Sequence, residues 1–224
     1  MPSLISTVSG SPGMELLSWQ EVRLRMAFDP TQLPADLPVP ADDGAAAHLT
    51  GAAMPPIVLP ATSGGPVRVD AVPAGFDRLI IYAYPMTGLP GVPVPDGWDD
   101  IPGARGCTPE SCGFRDHAAE LAALGAAVAG LSTQSTAYQR EAATRLRLPF
   151  PLLSDADLTL THALKLPTFD IDLAPAYEGG GHRTLLRRVT LVVSRGVIEK
   201  VFYPVFPPDQ HAKEVLAWAG GNRP

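Results

Sequence analysis

What most restricts the fold is a change of pattern along the chain. From about Pro55 onward, short apolar runs alternate with segments whose apolar residues recur at helical spacing. Arg78-Leu-Ile-Ile-Tyr-Ala-Tyr84 is the strongest run, and its brevity and uniform apolarity predict a central strand buried on both faces. Ahead of it, IVLPAT and PVRVDAV read as two short strands joined by a turn at Ser63-Gly64-Gly65. After it, Ala126–Leu131 and Phe150–Leu153 read as strands, and Val189–Val193 with Val197–Phe202 as a hairpin around Ser194-Arg195-Gly196. Three helical segments lie between these strands and a fourth follows the last. The first has Pro109 in its opening turn and runs to about Leu124, with Phe114, Leu121 and Leu124 on one side. The others are Ser135–Leu146, Ala156–Leu164 and Gln210–Ala219, the last opened by Asp209 as N-cap. Such alternation predicts an α/β domain with a mixed central sheet and helices on both faces.

The order βαβαβα followed by ββα is a thioredoxin-like arrangement. Residues 55–224 form its domain, and residues 1–54 an N-terminal extension, partly extended or disordered. Leu16 to Met26 has the pattern of a short amphipathic helix, and Met14 and Met26 offer alternative starts. Pro30 to Pro56 is rich in Pro, Ala and Asp, which suits an extended arm. Pro85 to Gly106 is long for a structureless connection and therefore reads as a functional loop.

Composition narrows the partners. A net charge of -6 and a pI of about 5.3 argue against nucleic acid or an anionic membrane. No apolar run approaches the ~20 residues needed to span a bilayer. The first residues, MPSLISTVSGSPG, lack the basic start and long apolar stretch of a secretory signal. The expectation is a cytoplasmic, reducing location.

The only two cysteines sit together as Cys107-Thr-Pro-Glu-Ser-Cys112. A disulfide scaffold needs more of them, spread out. A structural zinc needs further ligands at matching spacing, which His48, His117, His162, His182 and His211 do not supply. Redox chemistry is the first reading. Cys107 falls at a helix start, where unpaired N–H groups and the positive end of the helix dipole favour thiolate. Arg105, or an arginine brought in from later in the chain, would add positive charge. Cys112, further into the helix, is expected to be a buried thiol. Residues five apart on an α-helix have Cα atoms roughly 8 to 9 Å apart, beyond the ~7 Å limit for a disulfide. Either the pair never bridges, or the first turns unwind on oxidation.

GCTPESCGFRDHAAEL resembles the active-site helix of the peroxiredoxin Q group, also called bacterioferritin comigratory protein. The resemblance runs from about Pro55 to Trp218 and takes in LIIYAYP, AGLSTQSTAYQREAATRLRLPFPLLSD and RVTLVVSRGVIEKVFYPV. It implies a thiol peroxidase in which Cys107 attacks hydrogen peroxide or an organic hydroperoxide to become a sulfenic acid. Cys112 would then resolve it as an intramolecular disulfide, which thioredoxin or a similar dithiol would reduce, and no metal or organic cofactor is implied. The family's thiolate-binding arginine corresponds to Arg188, with Arg187 as the weaker candidate. The family's Pro-x-x-x-Thr-x-x-Cys pattern is broken, since Asp100 and Ala104 occupy the Pro and Thr positions. Thr87 is the candidate substitute hydroxyl. A monomer or weak dimer is expected.

Other readings compete. Two buried cysteines can be plain packing residues, and Arg188 a solvated strand-end charge. Arg115-Asp116-His117 reads as a solvated helix face, and His182 as part of a loop. The same thiols could also serve a thioredoxin-like redox sensor, or a metal carrier with His182 as third ligand.

Overall fold

The computed structural model describes residues 33–222 apart from 179. Within it the expected hairpin forms from β1 (Val58–Leu59) and β2 (Val67–Arg68). There follow β3 (Arg78–Ala83), a 3-10 turn at Trp98–Asp100, α1 (Cys107–Asp116), α2 (Ala118–Ala123) and β4 (Ala126–Ser132). Next come α3 (Thr136–Arg145), β5 (Leu152–Ser154), α4 (Thr159–Leu164), β6 (Thr168–Leu173) and β7 (Gly181–Leu186). The chain closes with β8 (Val189–Ser194), β9 (Val197–Phe202) and α5 (His211–Gly221).

Five strands make the main sheet in the order β5-β4-β3-β8-β9. β3 is central, parallel to β4 and antiparallel to β8, so Ile81 sits opposite both Ala129 and Leu191. Alternation along β3 then builds two cores, since successive side chains point to opposite faces. Leu79, Ile81 and Ala83 enter one cluster with Leu131, Leu160 and Leu191. Ile80, Tyr82 and Tyr84 enter the other with Phe114, Leu121 and Val215. On that second face Tyr82 stacks on Phe114 of α1, with ring centroids 4.4 Å apart and planes 15° apart. Such a pair adds about 0.5–1.5 kcal/mol beyond its buried area, and it ties α1 to the centre of the sheet.

The structure departs from the sequence-based expectation in several places. The helix predicted to reach Leu124 is two helices, broken at His117, which takes φ −102° and ψ 6° and pairs its ring with Glu120. The helix predicted from Ala156 begins at Thr159, because the Asp155 carboxylate accepts the Leu160 and Thr161 N–H groups ahead of it. The last helix has Gln210 rather than Asp209 as N-cap, and Asp209 accepts a bond from the Gln210 side chain instead. The β6–β7 hairpin was not anticipated at all. The arm predicted over Pro30–Pro56 is not uniformly extended. Residues 44–51 wind through turns, and Ala46, Leu49 and Met54 are buried in the first core. Gly51 N–H donates to Ile198 O at 2.8 Å, Ala53 bridges to Val197, and at the far side of the sheet Ala61 bridges to Leu153. The helix predicted over Leu16–Met26 lies outside the described residues. Among the described residues no helix is long and apolar enough to cross a membrane.

Candidate active site

Cys107 is the first residue of α1, directly after Gly106, whose φ of 107° lies in the left-handed region that glycine tolerates. A Cβ at Gly106 would also collide with the Pro208 ring, so glycine is what lets the helix begin here. Cys107 is 6% exposed and borders a cavity. Arg188, in the residue just before β8, extends beneath the helix start. Its Nη2 donates to Cys107 Sγ at 3.0 Å and to the carbonyls of Ala104 and Arg105, each at 3.1 Å. Its Nε donates to Gly103 O at 2.9 Å, and Nη1 pairs with Glu110. Of the two arginines offered by the sequence, Arg188 is therefore the one at the sulfur. Arg187 turns away, donating to Thr168 O and lying over the Phe169 ring.

Glu110 was not singled out from the sequence, although its place three residues after Cys107 puts it on the same helix face. It is fully buried and fixes the far arm of the guanidinium. Burial is the largest influence on Cys107 and pushes its thiol above the ordinary range; the Glu110 carboxylate acts the same way. Against them, the Arg188 charge and an N–H of Met86 directed at the sulfur pull it down. The setting is thus less favourable to thiolate than the helix start alone suggested, because the sulfur is desolvated. Burial likewise raises Glu110, opposed first by Arg188.

Cys112 is half-buried rather than buried; Ser111 takes the inward position and accepts a bond from Tyr82 OH at 3.1 Å. Its thiol is also pushed up by burial, with Arg115 opposing. Both cysteines are free and share one intact helix. Arg105 forms an ion pair with Asp99 at 2.9 Å and lines the cavity beside Cys107. Thr87 is engaged elsewhere: its N–H and hydroxyl both donate to Gln134 Oε1, at 2.8 and 3.2 Å. In the broken motif Asp100 lies in the 3-10 turn, whereas Ala104 is buried and its carbonyl faces Cys107 Sγ at 3.7 Å. His182 belongs to strand β7, not to a loop, and is exposed beside Asp172. Among the described residues no group of three His, Cys, Asp or Glu could hold a metal ion. Arg115 and Asp116 pair at the surface, as a solvated face would.

Cys107 forms part of the wall of a cavity of about 410 Å³. Gly88, Leu89, Pro90, Val92, Val94 and Trp98 of the long loop line the same cavity, so the loop after β3 helps to build the site.

A cysteine at a helix start, held by a buried arginine against a mixed sheet with this strand order, places the chain among thioredoxin-like thiol proteins. The Redoxin family pattern matches residues 49–216. The peroxiredoxin bcp of Coxiella burnetii is 30% identical over 166 residues, covering 74% of this chain and 95% of that protein. The chloroplastic peroxiredoxin Q of Sedum lineare is 29% identical over 166 residues, 74% of this chain and 75% of its own length. The crystal structure of the peroxidoxin BcpB from Mycobacterium tuberculosis superposes with a TM-score of 0.58 at 26% identity, covering 79% of this chain and 99% of that one. The chain belongs to the Redoxin family, as a peroxiredoxin of the Q/bcp group, and its activity is that of a thiol peroxidase.

Proposed function

We propose that this peroxiredoxin works as an atypical two-cysteine enzyme, with Cys107 as the peroxide-attacking residue, Cys112 as the resolving one and Arg188 as their electrostatic partner. The reading rests on one observation above all, the 3.0 Å contact between Arg188 Nη2 and Cys107 Sγ at a helix start that opens onto a cavity. In the first step the Cys107 thiolate attacks the terminal oxygen of ROOH, the O–O bond breaks, and the other oxygen leaves as RO−, which takes a proton from solvent to become ROH. Cys107 becomes a sulfenic acid. Arg188 stabilises the charge that develops on the departing oxygen. Cys112 thiol then displaces the sulfenic oxygen as water and forms the disulfide, once the first turns of α1 have unwound. A dithiol such as thioredoxin restores both thiols and is itself oxidised. Hydrogen peroxide and organic hydroperoxides are both substrates under this reading. The cytoplasm is its proposed location, and a monomer or weak dimer its working form.

The experiment is consumption of several peroxides by the purified protein, with and without thioredoxin and its reductase. Turnover that requires the dithiol supports the cycle. One stoichiometric oxidation without turnover would instead favour a redox sensor that uses the same thiols.

A further inference from the structure

Beyond Ala83 the chain leaves β3, although Tyr84 N–H still donates to Leu131 O of β4 at 2.9 Å. Pro85 has no N–H with which to continue that ladder. Two side chains from the end of β4 take over. Ser132 Oγ donates to Pro85 O at 2.9 Å. The side-chain amide of Gln134 carries donors and an acceptor, as a backbone peptide does, and it meets Thr87 from both sides. Its Oε1 accepts the Thr87 N–H at 2.8 Å and the Thr87 hydroxyl at 3.2 Å, while its Nε2 donates to Thr87 O at 3.1 Å. Ser132, Gln134 and Thr87 are all buried, so a partner lost here is not replaced by water at no cost. The two supports are themselves anchored. Gln134 N–H donates to Ser132 Oγ at 3.3 Å, and Ser154 Oγ of β5 donates to Gln134 O at 2.7 Å.

Met86 lies between the two held points. The Pro85–Met86 peptide is trans, and in a planar trans peptide the C=O and N–H point in opposite directions. Holding Pro85 O against Ser132 therefore turns the Met86 N–H the other way, toward the Cys107 sulfur, on which it acts together with Arg188. The Thr87 hydroxyl is bound to Gln134, and Ala104 offers the sulfur a carbonyl, so a backbone N–H joins the guanidinium as a donor to the sulfur.

We infer that Ser132 and Gln134 are positioning residues of the peroxidase: by clamping Pro85 and Thr87 they keep the Met86 N–H aimed at Cys107, where it stabilises the thiolate. The inference rests on the peroxidase reading above for its effect on rate, and adds to it a donor and the two side chains that hold it. A hydrogen bond to the charged form favours that form, so loosening either support favours the thiol. Each unit by which the thiol midpoint rises cuts the thiolate present below it about tenfold, and the reaction with peroxide in proportion.

The test is a pH titration of the full, reduced chain, with Cys112→Ser throughout so that one thiol titrates. Thiolate absorbance follows the sulfur, and the amide proton resonance of Met86 follows the donor. In the parent, the Met86 proton should move with the same midpoint as the sulfur. In Ser132→Ala and in Gln134→Met that midpoint should rise by about half a unit to one unit, and the Met86 response should shrink. The single oxidation by hydrogen peroxide, at a pH below the midpoint, should slow roughly threefold to tenfold in each. Both substitutions are neutral and alter none of the groups around the sulfur: Arg188 before β8, Glu110 on α1, Tyr82 and Tyr84 at β3, and Arg105 and Arg145 beside the cavity. Lost packing alone would lower the melting temperature and move neither titration. A Met86 proton that ignores the Cys107 titration in the parent would overturn the inference, as would midpoints in both variants within about a fifth of a unit of the parent's. Should one variant fail to fold, the other and the parent's amide titration still decide. Absence of any reaction with peroxide in the parent would overturn the peroxidase reading, while the titrations still show where the N–H is aimed.

Discussion

The guanidinium of Arg188 touches Cys107 sulfur, Glu110 carboxylate and three loop carbonyls at once, so one side chain sets both the charge and the shape of the site. The charges around the sulfur make opposite predictions for two neighbours. Removing the positive charge in Arg188→Ala disfavours thiolate and should raise the thiol pKa by about one unit or more; removing the negative charge in Glu110→Gln favours thiolate and should lower it. Because burial already raises Cys107, peroxide reactivity of the parent should still climb as pH rises past the ordinary cysteine range near ~8.5. Thiolate absorbance and the pH dependence of alkylation read all three, and equal shifts in both variants would contradict the assignment. At the second thiol, Cys112→Ser should keep a single stoichiometric oxidation but lose dithiol-supported turnover, which product counting with and without reductant decides. The sequence pointed to Cys107 and Arg188, which the structure brings to 3.0 Å of each other, through their motif and their places beside a helix and a strand. It did not reveal Glu110, because a carboxylate in a helix start usually faces water, and only the tertiary approach of Arg188 explains its burial. Nor did it show that Gln134 would take up Thr87, a contact 47 residues apart in sequence.

At the scale of the element, α1 is short and its two ends are treated differently. Its first turn rests on Gly106 and the Pro208 ring, whereas Phe114 anchors its far half on Tyr82. Bridging two residues five apart requires the first turns to open, and the break at His117 ends the segment that must move. Hydrogen exchange should therefore speed up over residues 106–113 in the disulfide form, with little change in α2; equal protection in both redox states would remove Cys112 from the resolving role. Phe114→Ala should cost about 3–5 kcal/mol by leaving a void against the sheet, seen as a lower urea midpoint. The short, unbroken apolar runs announced β3, β4 and β8, because a central strand covered on both faces has no need of polar positions. The β6–β7 hairpin escaped notice for the converse reason. Thr168-Phe-Asp-Ile-Asp-Leu173 alternates, with acidic residues on its open face, and the glycines after Tyr177 suggested a loop. Its apolar face is completed by Met86, Trp98 and Ala104 from a distant loop, which local pattern does not report.

For the whole molecule, the mixed sheet with helices on both faces followed from the alternation of runs and helical segments, while the role of residues before Pro55 did not. Their composition is that of an arm, and only long-range contacts turn Leu49 and Met54 into core residues. Those contacts have a consequence for how copies of the chain meet. The outer strands of the main sheet are β5 and β9. Beside β9, Gly51 and Ala52 exchange backbone bonds with Ile198, and beside β5, Thr62 N–H and Ser154 N–H join the segment from Pro60 to Thr62 to the strand. Neither border strand is left with a bare row of backbone donors and acceptors along these stretches, the kind of row that templates pairing between molecules. A chain beginning at Pro55 would strip the cover from β9 and empty the Leu49 and Met54 positions together. It should melt several degrees lower and scatter light on standing at concentrations where the full chain stays clear. Residues that read as an N-terminal extension would then act as a guard against aggregation.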